Sequence, residues 1–300
     1  MATKKPRRST SKPSARKKAK PASVPAMDTK TALALAANPK KSIAQRVAAA
    51  VQLTRTACDD SQLFDEILAV LKDGSVPSPV RLAVLQALQA ATFSSAVFDI
   101  CRPGYLSALR SLVKDPDKEL RQRVLGILSR EHDGYTQQLL LEGLRDPKKA
   151  LVPADKALQL LSYDVHSDAY PVAREIVRNP PNQRAKREAM RLLAADANSV
   201  GMFETILGDK KEAPEIRQLS ATALYSLAPK KLESMARKIV LDKKDDHKVK
   251  ATSLTALASF GGKSIAKDKP LIAQVKKLEG KAGSTAVKRG ANQFLRKYVP

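Results

Sequence analysis

A short motif recurs along this 300-residue chain at a nearly constant interval. It is an Asp or Asn that closes one helical stretch and precedes another. The seven positions are Asn38, Asp73, Asp115, Asp146, Asn179, Asp209 and Asp242. Neighbouring positions are 30 to 42 residues apart, and a period near 33 is typical of repeat arrays. The chain is therefore expected to build one structural unit many times, with each copy packed on its neighbours.

Each marker is followed by an Ala- and Leu-rich stretch such as "VRLAVLQAL" or "IRQLSATAL". Val80, Ala83, Val84 and Ala87 follow the i, i+3, i+4 pattern of one helical face. The stretch before each marker, for example "LFDEILAVL", is helical in pattern as well. One unit is thus helix A, a turn and helix B. The sequence predicts that one leucine at the equivalent place in each of six B helices is buried: Leu88, Leu128, Leu161, Leu193, Leu224 and Leu257.

Low aromatic content agrees with an all-α protein. Phe, Trp and Tyr together make up 4% of the residues, and Trp is absent. The apolar residues are mostly Ala, Leu and Val, which suit close helix packing better than a sheet rich in aromatic and β-branched side chains.

The turn Asp is followed in several units by an apolar residue and a cation near the start of helix B. The pairs are Asp73 with Arg81, Asp115 with Arg121, Asp209 with Arg217 and, less closely, Asp242 with Lys250. This pattern resembles the HEAT-repeat family of α-solenoids. The resemblance implies a right-handed α-solenoid of about seven to eight HEAT-like helical hairpins over residues 29–300, in which these cations are structural partners of the turn carboxylates.

The first 28 residues differ from the rest of the chain. They are rich in Lys, Arg, Pro and Ser, contain no Leu, Ile or Phe, and are predicted to be disordered because they offer little apolar surface to bury. The segment is either a solubilising tail or a polybasic arm that contacts phosphate; "KKPRR" and "ARKKAK" are also typical of nuclear import signals. The phosphate contacts would be Lys4, Lys5, Arg7, Arg8, Arg16, Lys17, Lys18 and Lys20.

The formal net charge of +24 is concentrated at the two ends. Residues 230–300, the basic capping repeats, hold eighteen Lys or Arg and six acidic residues. Two groups of cations on predicted B helices complete the expected nucleic-acid-binding set. They are Arg184, Arg187 and Arg191, spaced to share one face opposite Ala185, Ala189 and Leu192, and Lys288, Arg289, Arg296 and Lys297. In the HEAT family helix B lines the concave surface, so the resemblance implies that the first group faces a groove.

Motifs of catalysis and cofactor binding are missing from the sequence. The three histidines have no second His or Cys at ligand spacing, so we expect no catalytic residue, no metal and no cofactor. The GG pair at Gly261 lacks phosphate-loop spacing and is predicted to end a helix in the left-handed conformation. HEAT-like DNA glycosylases and bilin lyases are minor alternatives. The glycosylase clefts use Trp, which this chain lacks.

The expected function is that of a non-enzymatic binding scaffold with an anionic partner. Sequence-independent nucleic-acid binding through phosphates is the first hypothesis, and an acidic protein or peptide on the concave face is the alternative. Two cysteines outside any CxxC pair and the lack of a long apolar run or secretory leader predict an intracellular protein with no membrane association. The expected location is the cytoplasm, with nucleoid or nuclear association as the alternative. The partner's identity and the oligomeric state are left open.

Overall fold

The computed structural model describes residues 27–54, 60–92, 95–164 and 167–299. All regular elements in these ranges are helices, and they contain no strand, which confirms the all-α prediction. The tail predicted to be disordered lies outside the described residues apart from Met27 and Asp28. Among the described helices, none combines the length and the apolar character that crossing a lipid bilayer requires.

The chain divides into two compact units, Met1–Pro103 and Gly104–Pro300, and the boundary falls inside α5. Up to α5 the helices are α1 (Thr29–Ala37), α2 (Ile43–Ala50), α3 (Ser61–Lys72), α4 (Ser78–Ala91) and α5 (Ser95–Ser111). After it come α6 (Lys118–Arg130), α7 (Gly134–Arg145), α8 (Ala154–Leu161), α9 (Tyr170–Arg178), α10 (Gln183–Leu192), α11 (Val200–Gly208), α12 (Pro214–Leu227), α13 (Pro229–Leu241), α14 (His247–Phe260), α15 (Lys269–Lys281) and α16 (Thr285–Tyr298). Short 3₁₀ turns cover Val51–Thr54, Pro147–Lys149, Ser167–Ala169, Leu193–Ala195, Ala197–Ser199 and Lys263–Lys267.

Helix starts follow ordinary capping chemistry. In eight of the described helices the residue before the first turn accepts a hydrogen bond from a first-turn amide, which satisfies one of the free N–H groups there. The capping residues are Asp28, Ser42, Asp60, Asp117, Asp133, Asn182, Asp246 and Asp268. Proline lies in the first turn of α4, α9, α12, α13 and α15, where its missing N–H costs nothing.

The repeated phrase of the sequence corresponds to a helical hairpin. In the first unit α1 packs on α2 and α3 on α4, and α2 also packs on α4. In the second unit α11 packs on α12, α13 on α14 and α15 on α16. There the A helices α11, α13 and α15 also pack in succession, as do the B helices α8, α10, α12, α14 and α16. Neighbouring hairpins of the second unit therefore share a continuous apolar interior.

The six leucines predicted at equivalent B-helix positions are all buried. Leu88, Leu128, Leu193, Leu224 and Leu257 are 0% exposed, and Leu161 is 1% exposed. The sequence repeat therefore places one buried leucine in the core of each of these six units.

Arginines close three of the hairpins in the same way. Each arginine is buried and lies near the start of a B helix. Its Nε donates a hydrogen bond of 2.8 Å to a backbone carbonyl ten residues earlier, at the end of the preceding A helix. The pairs are Arg46 with Ala36, Arg81 with Leu71, and Arg217 with Leu207. A carbonyl in the last turn of a helix has no backbone N–H donor within that helix. The arginine side chain supplies the missing hydrogen bond.

The predicted pairing of Arg217 with its own turn Asp209 is wrong. The guanidinium of Arg217 instead donates to both carboxylate oxygens of Asp245, in the turn of the next hairpin, over 2.7 and 3.0 Å. The side chain of Asp209 accepts from the amide of Lys211 within its own turn. The arginine near the start of this B helix therefore pairs with the turn of the next hairpin and not with its own.

Gly261 does end α14, as predicted, but the left-handed conformation predicted for it is wrong. Its φ is −56° and its ψ is 137°, which is not the left-handed conformation. A Cβ at this position would lie 2.5 Å from the carbonyl oxygen of Leu257 and 2.6 Å from the hydroxyl of Tyr298. Glycine is needed here for close approach, because the single hydroxyl proton of Tyr298 is shared between the carbonyls of Gly261 and Leu257, at 2.6 and 2.9 Å.

Candidate nucleic-acid interface on the second unit

Helix α16 separates an apolar face from a basic one. Val287, Ala291 and Phe294 are fully buried in the cluster shared with α14, and Gly290 lets α16 approach the Leu254 side chain closely. Lys288, Asn292 and Arg296 are exposed on the other side, as the sequence predicted. A depression of about 790 Å³ lies along this exposed face and is lined by Thr285, Lys288, Arg289, Asn292, Gln293, Arg296 and Lys297.

Three cations of this face have no carboxylate partner within the described part of the chain. They are Lys288, Arg289 and Arg296, and all are exposed. Lys297 differs, because its ammonium donates to the carbonyls of Ala258 and Ser259 at 2.7 and 3.2 Å, near the end of α14. We therefore assign Lys297 to the helix packing and leave it out of the candidate interface.

Several other cations of the second unit form ion pairs with carboxylates one hairpin away. The bridging pairs are Lys186 with Glu212, Lys210 with Asp242, Lys231 with Glu204, Arg237 with Asp268, and Lys248 with Glu215. The hydrogen bond from Lys248 holds the pKa of Glu215 below its usual range, and Glu215 raises the pKa of Lys248 in turn. Ion pairs thus offset part of the positive charge along α10 to α14, whereas the exposed face of α16 has no ion pair among the described residues.

Of the three arginines predicted on α10, two interact with carboxylates of the protein and are less free to contact phosphate. Ala185, Ala189 and Leu192 are buried, so the three arginines do occupy the opposite face. Arg191 forms an ion pair with Glu188 of the same helix, and Arg187 lies close enough to Glu215 to help lower the pKa of that carboxyl after Lys248. Arg184 is exposed.

The α10 and α16 cations are not brought together. Helices α12 and α14 lie between them in the packing order of the B helices. The eight tail cations, Lys4, Lys5, Arg7, Arg8, Arg16, Lys17, Lys18 and Lys20, lie outside the described residues.

A trough that the sequence did not reveal runs over α14. Its floor carries short side chains, Ala251, Thr252, Thr255 and Ser259, and longer ones rise on both sides. The walls are Thr222 and Tyr225 from α12 and Arg289 and Gln293 from α16. The volume is about 410 Å³. The short side chains of α14 lie between Tyr225 of α12 and Arg289 and Gln293 of α16 and leave the depression, so the stretch "KATSLTALAS" was the available signal.

The trough has one aromatic wall and few free donors. Tyr225 is 52% exposed, and its ring meets Phe260 edge-on with centroids 5.0 Å apart. The hydroxyls of Thr222, Thr252 and Thr255 each donate to the carbonyl four residues earlier, at 3.0 to 3.1 Å. The Thr252 oxygen already accepts from Nε2 of Gln218 at 2.8 Å, whereas the oxygens of Thr222 and Thr255 can still accept. The methyl groups of all three add apolar surface. Arg289 is the one cation among the residues that line this trough.

Comparison with known proteins adds no assignment, since the chain matches no protein-family model and no curated protein.

Proposed function

We propose that the protein is a non-enzymatic binding scaffold, a HEAT-like α-solenoid that holds nucleic acid through its phosphates without reading sequence. The observation that carries the proposal is the exposed face of α16, where Lys288, Arg289 and Arg296 have no carboxylate partner among the described residues. Cations that already form a bridging pair would gain little from a phosphate, whereas these three, which are grouped on one face of one helix, would gain more.

The solenoid part of the proposal rests on the packing order. In the second unit A helices follow A helices and B helices follow B helices, with a sequence period near 33 residues. Stacked hairpins of this kind present all B helices on one surface. The basic face of α16 and the exposed Arg184 of α10 would belong to that surface.

Phosphate binding by such a face is electrostatic. Each Lys or Arg that neutralises a phosphate releases condensed counterions, so affinity falls steeply with salt. Long flexible cations contact the backbone and do not read base edges, so unrelated sequences compete equally. The basic tail, with nine Lys or Arg in its first 20 residues, would add further contacts of the same kind.

A salt titration tests this proposal. Anisotropy of a labelled 20-bp duplex should show binding that weakens by roughly a thousandfold between 50 and 200 mM salt if about six phosphates are contacted. Replacing Lys288, Arg289 and Arg296 by Gln should reduce the log–log slope by about 2 to 3.

The matched control changes three exposed cations that already have carboxylate partners. Lys210, Lys231 and Arg237, replaced together by Gln, alter the net charge by the same amount. We expect this variant to keep a slope close to that of the unchanged protein. Equal slopes for the two triple variants, or no detectable duplex binding at 150 mM salt, would contradict the proposal.

The trough favours one second candidate, an acidic peptide whose apolar side chains enter between α12 and α16. Its methyl groups and Arg289 are the observations in favour. Affinity capture with and without nuclease separates the two functions, because a directly bound protein survives nuclease treatment and a nucleic-acid bridge does not.

A further inference from the structure

We propose that the trough over α14 receives one unstacked nucleobase, so that the protein prefers single-stranded to duplex nucleic acid. This inference rests on the proposed phosphate binding and adds a base-binding site to it. The residues that carry it are Tyr225 on one wall and Arg289 on the other.

Tyr225 provides a stacking surface for a base. Half of its surface is exposed, and the edge-on contact with Phe260 supports the ring from one side while the trough lies open beside it. Every nucleobase has a π-face, so an aromatic wall holds any base without selecting its identity. This agrees with the sequence-independent binding proposed for α16.

The floor of the trough leaves room for a flat ring. Ala251, Thr252, Thr255 and Ser259 are short, and the volume of about 410 Å³ falls within the roughly 300 to 1,000 Å³ of small-molecule sites. The hydroxyl oxygens of Thr222 and Thr255, and the amide of Gln293, offer partners for the polar edge of a base.

The trough and the basic depression adjoin each other. Arg289 and Gln293 line both, so a strand whose base lies beside Tyr225 would carry its neighbouring phosphates onto Lys288, Arg289 and Arg296. Bases in a duplex are paired and stacked and cannot enter such a trough, whereas those of a single strand can. Only the single strand would therefore use both sites together.

The experiment compares two labelled probes, a single-stranded dT 20-mer and a 20-bp duplex, by anisotropy at 100 mM salt. We expect tighter binding of the single strand. The Tyr225→Ala variant should lose on the order of tenfold in affinity for the single strand, as removal of one stacking residue does, and nothing for the duplex. Tyr225→Phe should keep the affinity, because the ring remains. Tyr135→Ala removes a similarly exposed tyrosine, outside the trough, and should change neither probe.

Two results would overturn the inference. One is that the Tyr225→Ala variant binds the single strand as tightly as the wild-type protein does. If duplex binding then still depends steeply on salt, the phosphate binding proposed for α16 is retained without the base site. The other is a Leu- and Glu-rich peptide that loses affinity on Tyr225→Ala while the single strand does not, which would assign the trough to a peptide. Failure of both probes to bind would instead remove the proposed function itself.

Discussion

The buried pair of Arg217 and Asp245 provides the sharpest test of the packing between hairpins. Both side chains are 3% exposed, and the two hydrogen bonds between them measure 2.7 and 3.0 Å. In the Asp245→Ala variant the guanidinium would keep its bond to the Leu207 carbonyl but lose its counter-charge in a site that water does not reach. Removing one member of such a pair costs about 3 to 5 kcal/mol.

A more exposed pair of the same type is the control. Arg237 and Asp268 also link neighbouring hairpins, but the Arg237 side chain is 45% exposed. Pairs in that environment contribute about 0.2 to 1 kcal/mol, so Arg237→Ala should have a small effect. The double variant Arg217→Met with Asp245→Leu should be less destabilised than Asp245→Ala, because no unpaired charge remains buried.

Urea unfolding of the full chain at pH 7, followed by far-UV circular dichroism, measures these differences. The Asp245→Ala variant should lower the unfolding midpoint. A loss in the free energy of unfolding below about 1 kcal/mol, or no larger than that of Arg237→Ala, would refute the buried geometry.

Two further predictions concern the last two hairpins. Gly261→Ala should destabilise the protein by about 1 to 3 kcal/mol, because the new methyl group would clash with a backbone carbonyl. Gly280→Ala, which has open space around its Cβ position, should stabilise the protein by about 0.5 to 1 kcal/mol. Similar shifts in melting temperature for the two variants would contradict this prediction. The hydrogen bond from Arg237 lowers the pKa of Asp268 in the folded protein. The ionised Asp268 therefore stabilises the fold fully above its unfolded-state pKa near 4, and this stabilisation is lost as the pH falls through the lower folded-state pKa. The melting temperature should therefore fall more steeply below pH 5 in the unchanged protein than in Asp268→Asn, and parallel curves would count against the pair.

The helical class and the positions of the core leucines could be predicted from the sequence because both depend on local periodicity. Leu128 and Leu193, for example, follow from apolar spacing within one helix, and the same spacing placed Lys288 and Arg296 on an exposed face. Helical period alone decides which side of a helix is buried.

Features that depend on contacts between hairpins could not be predicted in this way. The pairing of Arg217 with Asp245 joins residues 28 positions apart, and the sequence equally allowed its own turn Asp209. Lys297 looked like a free cation because its acceptors, near the end of α14, lie 38 and 39 residues earlier. The trough beside Tyr225 depends on the sizes of side chains from three neighbouring helices, and the periodicity of one helix does not predict it.

The bonds that Arg46, Arg81 and Arg217 make to carbonyls ten residues earlier bear on how the chain folds. Closing a loop of ten residues costs little chain entropy, and such short separations are typical of fast-folding topologies. Each of these hairpins carries its own short-range closure, so ordering can begin at more than one place along the chain and spread to adjacent hairpins.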